Sequence, residues 1–93
     1  MRRIWKFRIP FMGQHGAIEM PKGARIISVG WQNNDPVLWA IVDPHAAPAT
    51  RNIVVIMTGV DIREGEFAFP FIGTTMNDDG SFVVHIFDGG EVK

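Results

Sequence analysis

The chain has 93 residues, a 46% hydrophobic and 20% charged composition, and a formal net charge of −1. That length holds one domain, and the composition excludes a disordered chain. The near-zero charge excludes a global field that would draw in long nucleic acid.

Cysteine is absent, which removes disulfides and thiolate metal sites together and fits a reducing cytoplasm. His15, His45 and His85 are too scattered for a metal motif, so no metal or other cofactor is expected. A domain this short buries little surface alone, and with those staples missing the remaining one is oligomerisation. A homo-oligomer is therefore the expectation. No stretch approaches the run of roughly 18–20 apolar residues that spans a membrane. Charge at Arg2, Arg3, Lys6 and Arg8 interrupts any signal-peptide apolar region.

Helical periodicity is poor, and glycine or proline punctuates the chain at short intervals. Short apolar runs between such breaks predict an all-β domain over 1–93. Its six or seven short, mainly antiparallel strands would form a small sandwich or barrel.

Residues 3–9 alternate, with Trp5, Phe7 and Ile9 on one face and Ile4, Lys6 and Arg8 on the other. Pro10 ends this strand, and Gly13 and Gly16 mark a turn over 11–16. A short strand over 17–20 points Ile18 and Met20 inward. The third strand, 25–32, has the expected inward set Ile27, Val29 and Trp31, with Ser28, Gly30 and Gln32 opposite. Asn33-Asn34-Asp35-Pro36 is a turn, so the third strand forms a hairpin with the fourth, 37–42. The fourth is apolar on both faces, which places it centrally or covers it on both sides.

The stretch 43–52 contains Pro44 and Pro48 and is expected to be the longest loop. A β-branched strand over 53–57 follows, an aggregation hazard if it lies on an open edge. Pro70 within 67–76 indicates a bulge or an edge position. Asn77-Asp78-Asp79-Gly80 is a hairpin turn before a last strand over 81–88, and the tail from Gly89 is expected to fray.

Several residues are candidate ligand contacts. Arg2, Arg3, Lys6 and Arg8 are four of the nine basic residues. Lys6 and Arg8 share a face that could grip phosphate or an acidic partner. The preferred reading is a solvated face, paired with Asp79, Asp88 or Glu91. Trp31, Trp39, Phe69 and Phe71 could stack on a planar ring, or could form the core, as could Trp5. The basic residues of the first strand face away from its aromatics, which counts against a nucleic-acid surface.

Asp43 and His45 could be an acid–base pair, but aspartate before proline more often caps a turn. Arg51 has the planar fork that suits phosphate or carboxylate, placed by this reading at a loop–strand junction. His85 sits in phase with Val83 and Phe87, which fits a hydrogen-bonded residue better than a base. No nucleophile elbow, phosphate loop or calcium loop is present, so no catalytic residue is assigned and an enzyme is not expected.

Ile4-Trp5-Lys6-Phe7, Met20-Pro21-Lys22-Gly23-Ala24, Ile27-Ser28-Val29, Leu38-Trp39-Ala40, Val42-Asp43-Pro44, Phe71-Ile72-Gly73-Thr74 and His85-Ile86-Phe87 together resemble a small domain family encoded widely in bacteriophage genomes. The resemblance spans nearly the whole chain and is weakest over 44–57. It implies a protein acting in the cytoplasm of an infected bacterium, where small phage proteins serve as virion accessories, regulators or inhibitors of host defence.

Two function classes then compete. The first is a non-enzymatic oligomer that sequesters a nucleotide-like immune signal, with Arg51, Arg25, Trp31, Trp39 and His45 as ligand contacts. The second is a protein–protein interaction module, a virion accessory or an inhibitor of a host protein, working through an exposed strand edge such as the one carrying Pro70, or through an apolar patch. A small nucleotide hydrolase using His85 or His45 with an aspartate is a third, weaker reading.

Overall fold

The computed structural model describes residues 1–10, 15–65 and 68–92. Seven antiparallel strands form two sheets that do not close into a barrel. They are β1 (Arg3–Arg8), β2 (His15–Pro21), β3 (Arg25–Gln32), β4 (Asp35–Val42), β5 (Pro48–Met57), β6 (Phe71–Met76) and β7 (Val83–Glu91). One sheet has the order β1-β4-β3 and the other β2-β5-β7-β6. No helix of the described residues is long and apolar enough to cross a membrane.

The core lies between the sheets. From the first sheet it takes Leu38, Ala40 and Val42, and from the second Ile18, Met20, Ile53, Val55, Val84 and Ile86. Each lies at every second position of its strand, as the pleat requires. A fully buried aliphatic side chain of this kind contributes about 1.5–3 kcal/mol. β4 is central in its sheet, which explains why Val37 is buried as well.

The β3–β4 hairpin turns on Asn33 and Asn34, both with positive φ (51° and 65°). Two consecutive left-handed residues twist the turn in the sense of its strands, and asparagine tolerates that conformation.

Four expectations need correction. Ile27 does not face the core: it is 41% exposed, and Ile26 packs inward instead. A bulge between Ile26 and Ser28 inserts a residue against β4 and reverses the phase, so Val29 and Trp31 still face in. The long loop is shorter than expected, because β5 begins at Pro48, opposite Pro21. Proline is tolerated at the first position of a strand. Arg51 therefore lies inside a strand. The tail does not fray at Gly89, since β7 runs to Glu91. The Val92 N–H donates to the Thr50 carbonyl at 2.8 Å, and Glu91 accepts from the Gly23 N–H.

Residues 53–57 lie in β5 and all pair with β7, while Ile53 and Val54 pair with β2 as well. β6 is an edge strand whose register shifts between Phe71 and Gly73, one residue beyond Pro70. The turn expected over 11–16 falls mostly outside the described residues.

Candidate functional site

Strand register decides which side chains share a face. Lys6 pairs with Trp39, Arg8 with Val37 and Ile4 with Ile41. On the other flank Ser28 pairs with Trp39, Gly30 with Val37, and Arg25 with Ile41. Leu38, Ala40 and Val42 face the core, so all these residues line the outer face of the β1-β4-β3 sheet.

Trp39 is half-buried on that face and its six-membered ring lies against Gly30. A Cβ at Gly30 would fall 2.8 Å from Cζ3 and 2.9 Å from Cη2, so glycine is what admits the ring. Lys6 Nζ donates to Gln32 Oε1 at 2.8 Å, spanning β4. Arg8 Nε sits 3.0 Å from Asp35 Oδ2, and its Nη2 donates to Oδ1 at 3.4 Å. The expected partners for this pair, Asp79, Asp88 and Glu91, are not the ones used. The hairpin brings Asp35 to β3's partner strand, and thus to Arg8, while Asp88 and Glu91 lie on the opposite sheet.

Among the described residues this face carries three cations, Lys6, Arg8 and Arg25, against one carboxylate, Asp35. Lys6 and Arg8 do face away from Trp5 and Phe7, but the pairing sets them beside an aromatic of the neighbouring strand.

Of the five candidate contacts, the fold brings Arg25 and Trp39 to this face. Arg51 is 8% exposed and turned inward. Its Nη1 donates to the Ala24 carbonyl at 2.8 Å, and its Nη2 donates to the same oxygen. Its Nε lies 3.4 Å from Asp88 Oδ1, a charge contact too poorly aligned to count as a hydrogen bond. The fork holds the start of β3 against β5 and β7.

Trp31 packs against the core. It also lines a cleft of about 350 Å³ with Asn34, Asp35, Pro36, Asn77 and Phe82. Its Nε1 is buried with no acceptor among the described residues. His45 is exposed, and its backbone N–H donates to Asp43 Oδ1 at 3.0 Å, so Asp43 caps the turn.

His85 is held between two hydroxyls, with Nε2 2.8 Å from Thr58 Oγ1 and Nδ1 2.8 Å from Thr74 Oγ1. Among the described residues no group of three or more His, Cys, Asp or Glu side chains is placed to hold a metal ion. Gly30 was missed as part of the site, although a lone glycine in a strand does signal close approach.

The geometry is that of a small β-sandwich with an aromatic and cationic sheet face. The chain belongs to a family described as a domain of unknown function, DUF7352, whose match covers residues 1–93. No curated protein and no solved structure matches it.

Proposed function

We propose that this chain is a non-enzymatic binding protein for a nucleotide-like ligand, carried on the outer face of the β1-β4-β3 sheet. The supporting observation is the Trp39 ring seated on Gly30 beside Lys6 and Arg25. The indole stacks on a base, and the cations hold phosphate. Arg51 is spent inside the fold and has no part in the contact.

A sheet face is shallow, and ligand sites are usually concave. A second copy laid over this face would complete the pocket, with ligand phosphates neutralising cations that otherwise repel. This is the homo-oligomer that the chain's small size favours. The phage-like sequence gives the biological setting: sequestration of a host immune signal in the cytoplasm of an infected bacterium.

Calorimetry against cyclic dinucleotides and ADP-ribose, with light scattering to count copies, tests the reading. The expected result is binding that quenches Trp39 fluorescence and weakens at least about tenfold in Trp39→Ala, equivalent to about 1.4 kcal/mol. No binding across the panel would sink it.

A further inference from the structure

β1 is an edge strand whose partner is β4. The Ile9 N–H donates to the Pro36 carbonyl at 2.9 Å, one position beyond the Arg8–Val37 pair. Antiparallel ladders alternate, so Arg3, Trp5 and Phe7 turn their backbone groups toward β4. Ile4, Lys6 and Arg8 turn theirs to the side that no strand of the described residues covers.

The side chains of β1 also divide. Ile4, Lys6 and Arg8 stand on the outer face. Trp5 and Phe7, with ring centroids 6.4 Å apart, line a groove of about 250 Å³. Glu19, Met20, Pro21, Pro44 and Pro48 are among its other lining residues. The outward backbone groups, the cations and the apolar groove are thus all offered by one strand.

Charge selects the occupant. Residues 1–8 hold four cations and no carboxylate, in a chain whose net charge is −1. A second copy pairing antiparallel about Lys6, the middle one of the three outward-facing residues, would set Lys6 opposite Lys6. Like charges directly opposite destabilise a ladder, and cations on an edge strand oppose self-pairing.

We propose that β1 accepts an extended acidic segment of a partner protein as a fourth strand of its sheet. Acidic side chains of the segment lie beside Lys6 and Arg8, and the alternate apolar ones enter the Trp5–Phe7 groove. Main-chain hydrogen bonds give affinity, and the alternation gives specificity. This inference is independent of a nucleotide ligand.

The probe is a short fluorescent peptide alternating aspartate and valine, followed by anisotropy. Controls are the lysine–valine counterpart and the aspartate–valine peptide N-methylated at alternate residues. The acidic peptide should bind, weaken with added salt, and lose at least about tenfold affinity on Lys6→Glu or on N-methylation. Ile4→Pro should weaken binding similarly, because it deletes an outward N–H and leaves the β4 ladder whole. Lys6→Glu keeps the strand if the proline variant fails to fold.

Trp39→Ala should leave peptide binding unchanged, and Trp5→Ala should leave any nucleotide binding unchanged, which separates the two sites. Equal binding of the lysine–valine peptide, indifference to N-methylation, or a dimer that Ile4→Pro dissolves would each overturn the proposal.

Discussion

Along one side of the sandwich, β3 and β6 meet so closely that a Cβ on Gly73 would lie 2.9 Å from a Val29 methyl. Along the other side, β1 and β2 stand apart over a groove of about 250 Å³ lined by Trp5 and Phe7. Each side has two sheet edges to protect. The first protects them by contact, with a glycine that removes the side chain in the way. The second leaves an edge open and guards it with Lys6 and Arg8. Contact shields backbone from every partner, whereas charge shields it from like-charged partners and leaves it open to opposite ones.

The largest expected effect tests the tie that Arg51 makes from β5 to the start of β3. Arg51→Ala removes the fork from Ala24 and leaves Asp88 without its cation, so urea denaturation should show a loss of about 2–3 kcal/mol. Arg51→Lys should recover less than half, since an ammonium cannot reproduce the fork. A negligible loss in Arg51→Ala would mean that packing alone joins the sheets there.

Gly73→Val should cost about 1–3 kcal/mol by overpacking against Val29, with partial rescue by Val29→Ala in a double-mutant cycle. Without rescue, the seam would not be the source of the strain.

On the open side the same kind of change should matter less. Trp5 is 36% exposed, so Trp5→Ala should lower stability by only about 1 kcal/mol. A loss as large as that of Gly73→Val would make the groove part of the core and erase the contrast.

The smallest effect is in the β6–β7 turn. The Ser81 side chain, and then the Ser81 backbone N–H, hydrogen-bond the Asp79 carboxylate and hold its pKa below the ordinary aspartate value. The stabilisation is therefore present above the unfolded pKa and is lost as pH falls through the lowered one. An NMR titration of Asp79 should show the depressed midpoint, and Asp79→Asn should remove the acid-range change in the Ser81 amide shift.

Local chemistry and the two hairpins were legible in the sequence, and the longer-range pairing was not. The alternation of Trp5, Phe7 and Ile9, the Asn33-Asn34 turn and the all-apolar β4 each identify their element from neighbouring residues. Ile27 misled because a bulge leaves no mark in composition, and one extra residue exchanges the faces. Pro48 concealed the start of β5, since proline at a first strand position looks like proline in a loop.

The site suffered for the same reason. Lys6 and Trp39 are opposite each other only through β1–β4 register, which joins residues far apart in the chain. Arg51 is indistinguishable in sequence from an exposed arginine. Its commitment to Ala24 follows from β2 and β5 pairing across the intervening sheet change.

The sheet order also sets how the chain must assemble in time. β3–β4 and β6–β7 are hairpins whose ends are near in sequence, and such units close in about 1–10 μs. β2–β5, β1–β4 and β5–β7 each join segments separated by the other sheet's strands or by a long connection. Loop closure must be met before those contacts reward it, which places folding in the range of roughly milliseconds to seconds. Until β5 is flanked, its Ile53–Met57 run is the chain's exposed apolar strand. Refolding yield should therefore fall as protein concentration rises, although the finished fold keeps that strand interior.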